Sequence, residues 1–244
     1  MSLYLSRVTL ARTPATTALK ALIDPVAGPA RERLYDRQRG RIMDAHHRLI
    51  WALFADDPDR RRDYLWRAEG EGRFLVLSHR PPATDGAGLF LKPETKLFAP
   101  MLRAGDALHF ALRANATRTR KLVANASGTR VDVVMDALHA LPSGRESDDR
   151  RQARMEAAQT AGLEWLARQG ERAGFVVTRF TAADYSVVPL PAHRGSREGQ
   201  PQFGVIEMSG QLTVKDGEAL IAQIGQGFGR AKAFGCGLML IRRG

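Results

Sequence analysis

The apolar patterning of this chain changes period in an order that occurs twice. Residues 4–10 alternate loosely between apolar and polar, as a strand does. Residues 41–55 place Ile42, Leu49, Ile50 and Leu53 at helical spacing and stop at Asp56-Asp57-Pro58. Strand patterns follow at residues 64–68 and 73–78, separated by Glu69-Gly70-Glu71-Gly72, a hairpin signal. Residues 97–114 read as a turn at Gly105-Asp106 and a strand. Further on, residues 154–172 are helical, and 175–189 and 203–214 are strand-like. Asp216 then stands where a helix N-cap is wanted, and a final strand pattern covers 238–241. This order predicts an α+β chain of two tandem ferredoxin-like (RRM-like) βαββαβ domains, at residues 1–114 and 130–244. Only residues 81–95 leave room for a second helix in the first domain.

Between the last helix pattern and the last strand lies Gly225-Gln-Gly-Phe-Gly-Arg-Ala-Lys-Ala-Phe-Gly-Cys-Gly237. Glycine lets a backbone approach a ligand closely, and free N–H groups in such a loop can hold phosphate oxygens. Gly225, Gly227, Gly229, Arg230 and Lys232 are therefore candidate RNA-binding residues; the bland reading is a connector that reverses the chain. A P-loop is excluded, because Ala233 follows Lys232. A Rossmann fingerprint is excluded too, because the run closes a helix rather than opening one.

Charge supports a polyanionic partner. Thirty-seven Lys and Arg oppose 26 Asp and Glu, a net charge of +11 over 244 residues. No apolar run is long enough to span a bilayer and no signal-peptide pattern opens the sequence, so no membrane partner is expected. The single Cys236 excludes an internal disulfide framework and a cysteine zinc site, and points to the cytoplasm. Neither histidine spacing nor a carboxylate cluster suggests a metal, so no cofactor is expected. Arg118 and Lys121 lie in a basic stretch, and Arg194 and Arg197 in a polar loop. Each pair either touches a phosphate backbone or keeps its segment solvated. Residues 142–151 mix both signs of charge and read as a solvated face or linker.

Adjacent histidines sit on the first helix. His46 falls within the apolar stripe and reads as a packed core residue. His47 lies at the stripe's edge, where an imidazole can reach a cleft and move protons. The three tryptophans, Trp51, Trp66 and Trp165, fall in apolar patterns and read as core.

Several separated stretches resemble the CasE-type CRISPR RNA endoribonucleases of the type I-E system. They are Tyr4-Leu-Ser-Arg-Val-Thr-Leu-Ala-Arg12, His47-Arg-Leu-Ile-Trp-Ala-Leu-Phe54, Arg62-Asp-Tyr-Leu-Trp-Arg-Ala-Glu69 and Leu112-Arg-Ala-Asn115, then Gly210-Gln-Leu-Thr-Val and the glycine run through Gly237-Leu. The resemblance implies two ferredoxin-like domains. It also implies metal-independent cleavage of CRISPR repeat transcripts at a hairpin base, leaving a 5′-hydroxyl and a 2′,3′-cyclic phosphate. His47 aligns with the family's catalytic histidine. The implied partners are the CRISPR RNA repeat hairpin and other Cascade subunits, with no DNA contact by this subunit alone. Where family members often carry a tyrosine one turn before that histidine, this chain has Asp44. It also has extra residues at 11–40 and 142–152. A non-cleaving hairpin-binding module and a scaffold subunit are the alternative readings.

Overall fold

The computed structural model describes residues 2–13, 32–57, 59–84, 86, 88–120, 128–139, 147–189 and 202–244. It divides into two compact units. The first comprises Met1–Pro100, Val188–Gln202 and Lys232–Leu238; the second comprises Met101–Val187, Phe203–Ala231 and Met239–Gly244.

In the first unit, β1 (Tyr4–Thr9) leads to α1 (Glu32–Trp51), then β2 (Tyr64–Gly70), β3 (Arg73–Ser78) and β4 (Glu94–Leu97). The sheet order is β2-β3-β1-β4. Both β1 and β2 run antiparallel to β3, so they are parallel to each other with β3 inserted between them. That is the split βαβ arrangement of a ferredoxin-like fold, with α1 as the crossover. Its core packs Leu49, Ile50, Leu53 and Phe54 on Val8, Trp66, Phe74, Val76 and Phe90. The helix ends at Trp51, four residues short of the 55 its pattern predicted. Beyond Trp51 the backbone tightens, with Phe54 N–H donating to the Trp51 carbonyl at 2.8 Å. It begins earlier than its apolar pattern implied, at Glu32, because residues 32–40 are mostly polar and show little of the stripe that marks a helix. No helix occupies the described part of residues 79–93; Phe90 instead bridges to Leu10, and Ala83 N–H bonds to the Leu53 carbonyl.

The second unit contains β5 (Ala107–Ala114), the hairpin β6 (Thr117–Arg120) and β7 (Thr129–Asp132), α2 (Val133–His139), α3 (Ser147–Ala173), β8 (Phe175–Pro189), β9 (Gln202–Val214), α4 (Gly217–Gln226) and β10 (Met239–Arg243). Its sheet order is β10-β5-β9-β8. With β5, β8, β9 and β10 taken as first to fourth, this is the order of the first sheet. Both halves are therefore ferredoxin-like. Asp216 does cap α4, accepting from Ala219 N–H at 3.0 Å.

The boundary differs from the expected one. Residues 107–114, placed at the end of the first domain by sequence, pair with β9 and β10 in the second sheet. The reason is physical. Leu108, Phe110, Leu112 and Ala114 are buried in strict alternation, and alternation names a strand without naming its partner. Residues 147–151, read as part of a solvated face or linker, form the start of α3.

Candidate active site

His46 and His47 part company as helical geometry requires. His46 is buried, its ring edge-on to Phe74 at 5.0 Å and Trp66 at 5.9 Å. His47 is half-buried in the first unit, between Trp51 (centroids 6.4 Å apart) and Phe234 (6.5 Å). Its Nδ1 is buried and has no hydrogen-bond partner among the described residues. Packing on two aromatic rings, rather than an orienting hydrogen bond, holds the imidazole.

Phe234 reaches α1 through a short 3₁₀ turn, Lys232–Phe234, which belongs to the first unit. Two features seat that turn against β2. The Trp66 indole N–H donates to the Ala233 carbonyl at 3.3 Å. Gly235 follows at φ 74°, and a Cβ there would come within 2.9 Å of the Trp66 ring. Only glycine combines that dihedral with so close an approach.

Charge around His47 is mostly positive. Asp44, one turn earlier, is held by Arg48 at 3.1 Å. Arg62, just before β2, and Lys232 are half-buried, and neither forms an ion pair among the described residues. Burial lowers the His47 pKa below its ordinary value; Arg62 and Arg48 lower it further, while Asp44 opposes them. Lys232 is depressed by burial and then by Arg62. Burial holds the Tyr64 phenol well above its usual range, so it stays protonated; its hydroxyl is buried without a hydrogen-bond partner among the described residues. The balance favours the neutral, proton-accepting imidazole, with Arg62 close by and Lys232 on the turn that carries Phe234, neither cation paired among the described residues.

The second unit carries a basic cleft of about 310 Å³, lined by residues that include Arg118, Arg130, Trp165, Gln169, Gly229 and Arg230. Trp165 is buried as expected, but its edge also forms part of this lining. Arg118 is partly committed: both it and Arg120 bind the buried Asp136 carboxylate, Arg120 at 2.8 Å. That pairing holds Asp136 below the usual carboxylate range, with the hydrogen bond from Arg118 the main cause. The glycine run is divided. Gly225 lies in the last turn of α4, and Gly227 is its C-cap, with its N–H on the Gln223 carbonyl at 2.8 Å. Arg230 N–H bonds to the Asn115 carbonyl at 3.1 Å. Gly229, at φ 70°, brings its Cα so near that a Cβ would lie 2.6 Å from the same carbonyl. Several N–H groups of the run are thus used within the protein, while the Arg230 side chain is exposed. Lys121, Arg194 and Arg197 lie outside the described residues.

Arg62 and Phe234 were not singled out from sequence. Arg62 closes the run Arg60-Arg61-Arg62 directly before a strand, a signal that reads equally well as a solvated turn. Phe234 reads as one more apolar residue in a glycine-rich loop.

An α+β protein of two ferredoxin-like units, with a histidine–cation site in one and a basic cleft in the other, is the class these features define. Residues 3–243 match the model of the family described as CRISPR associated protein, and the chain belongs to that family. It is 31% identical over 202 residues to the CRISPR system Cascade subunit CasE of Escherichia coli K12, spanning 79% of this chain and 88% of that one. Its fold is similar to that of CRISPR endoribonuclease Cse3 bound to 19 nt RNA, with TM-score 0.65 at 21% identity over 99% of this chain and 98% of the other. Thermus thermophilus Cse3 bound to an RNA representing a pre-cleavage complex matches with TM-score 0.64, also at 21% identity, over 99% of this chain and all (100%) of the other.

Proposed function

We propose that this protein is a metal-independent endoribonuclease that cleaves CRISPR repeat transcripts at the base of a hairpin. It then stays on the product within a cytoplasmic Cascade assembly. RNA brings its own nucleophile. The 2′-oxygen attacks the adjacent phosphorus, the bond from phosphorus to the 5′-oxygen breaks, and a 2′,3′-cyclic phosphate and a 5′-hydroxyl result. The 2′-oxygen has to be aligned in line with the leaving oxygen, and two protons have to move, one from the 2′-hydroxyl and one to the 5′-oxygen. Alignment contributes several kcal/mol in general, and acid–base help roughly 10²–10⁴-fold.

The observation that carries this reading is His47: a half-buried imidazole whose pKa burial and Arg62 lower, packed against Phe234 of the turn that Lys232 opens. A neutral imidazole suits the general base that takes the 2′-hydroxyl proton; water supplies the proton to the 5′-oxygen. The exposed Arg230 and the basic cleft of the second unit are the proposed contacts for the hairpin backbone, with Arg118 beside them. Gly225, Gly227 and Gly229 shape that stretch of chain. Lys121, Arg194 and Arg197 are further proposed contacts. Recognition by shape and phosphate suits an A-form stem, whose deep groove side chains read poorly.

The test is cleavage of a cognate repeat hairpin in EDTA by the wild-type protein and by His47→Ala. The variant should bind the hairpin as tightly while cutting at least about 10²-fold more slowly. A 2′-deoxy residue at the cleavage position should leave the hairpin bound and intact. Normal cutting by the variant, or of the deoxy substrate, removes the reading.

A further inference from the structure

We propose that Arg62 is a catalytic residue, whose guanidinium joins the Lys232 ammonium in gripping the non-bridging oxygens of the scissile phosphodiester beside His47. This rests on the endoribonuclease reading and names the group that would bear the transition-state charge.

Three other arginines of this unit have found a carboxylate. Arg48 holds Asp44, Arg60 holds Asp56 at 3.2 Å, and Arg80 holds Asp63 at 2.8 Å. Asp63 adjoins Arg62 in sequence, yet it pairs with Arg80, which also holds Asp56 at 2.9 Å and donates to the Phe54 carbonyl at 2.8 Å. Arg62 and Lys232 are left without a carboxylate among the described residues, although both are half-buried. Two unneutralised cations drawn out of water repel one another and lose hydration, a cost that an incoming anion offsets. The mutual effect is visible in the depressed pKa of Lys232, to which Arg62 contributes after burial.

Placement agrees with charge. Lys232 opens the 3₁₀ turn whose Phe234 touches His47 and whose Ala233 carbonyl is fastened to Trp66 of β2. Arg62 precedes β2 by two residues and is close enough to His47 to rank second, after burial, among the influences on its titration. The other charged or titratable groups facing His47 are Asp44 and Arg48 on its own helix, with Tyr64 on β2 next to Arg62. The only carboxylate among them, Asp44, is neutralised. A phosphodiester is the anion this arrangement lacks. Its two non-bridging oxygens suit a planar guanidinium fork and an ammonium together. As the 2′-oxygen closes on phosphorus, negative charge builds on those oxygens, so donors fixed there act on the chemical step more than on binding.

Single-turnover cleavage of the cognate hairpin, and affinity for its uncleavable 2′-deoxy form, should be compared for wild type, Arg62→Gln, Arg62→Lys and His47→Ala. Arg62→Gln should slow cleavage by about 10²-fold while Kd changes less than about threefold, and Arg62→Lys should recover part of the rate. His47, followed by NMR, should titrate at higher pH in Arg62→Gln than in wild type. Without any variant, sulfur in place of one non-bridging oxygen at the scissile phosphate should slow the wild-type protein by about tenfold. Wild-type speed in Arg62→Gln, a rate loss matched by lost affinity, an unmoved His47 titration, or no sulfur effect in either stereoisomer would each overturn the assignment. Wild-type cutting by Arg62→Gln with a dead His47→Ala removes Arg62 alone; normal cutting by His47→Ala removes the parent reading.

Discussion

His47 is oriented by two aromatic faces, and its Nδ1 finds no acceptor among the described residues. Its titration is therefore governed by solvation and charge. Burial, Arg62 and Arg48 favour the neutral form and Asp44 favours the cation. If the neutral imidazole is the active base, the chemical rate should climb as pH rises through a pKa below the ordinary 6.5 and then level off. Replacing Asp44 with Asn removes the group that raises the pKa, so that acid limb should move to lower pH. A pH–rate profile of the single-turnover step checks this; a shift to higher pH would mean that Asp44 does not act on His47 through its charge. Asp44 acts on the His47 titration through its charge while paired with Arg48.

At the scale of elements, the 3₁₀ turn Lys232–Phe234 is what assembles the candidate site, and Gly235 is what lets it lie against β2. Gly235→Ala forces a side chain into left-handed backbone and toward the Trp66 ring. It should cost about 1–2 kcal/mol from the dihedral alone, read as a lower Tm, and should slow cleavage by displacing Lys232. The cap of α4 gives a contrast. Asp216→Ala removes the bond to Ala219 N–H and should cost about 1 kcal/mol while leaving the cleavage rate of folded protein unchanged. A rate loss in the cap variant would place α4 in the catalytic machinery. Both the cap and the helix were legible in the sequence, because an aspartate before a helical pattern is a local signal. The turn was not: it depends on Trp66, 167 residues away from Ala233 in sequence.

At the scale of the whole molecule, the net charge of +11 predicts RNA affinity that falls steeply with salt. If Arg230 contacts a phosphate, Arg230→Ala should flatten the slope of log K against log salt by about 0.7–0.9. An unchanged slope takes Arg230 off the contact surface. The two units share one strand order, and each follows from the same short-range pattern of strand, crossover, hairpin and returning strand. Their boundary did not follow from that pattern. Strand β5 joins β9 and β10 through pairings about 90 to 135 residues apart, and residues 232–238 cluster with the first unit although they are flanked by the second.

The amino-acid sequence determined what depends on near neighbours: strand alternation, helix stripes, the Asp216 cap, the separation of His46 from His47 on a turning helix, and the excess of positive charge. Tertiary structure alone decided which strand β5 would pair with, which arginines would be neutralised, and which would be left as bare charge beside His47. Periodicity is a property of a dozen consecutive residues, whereas a counterion or a strand partner is chosen among all the groups that folding brings within a few ångströms.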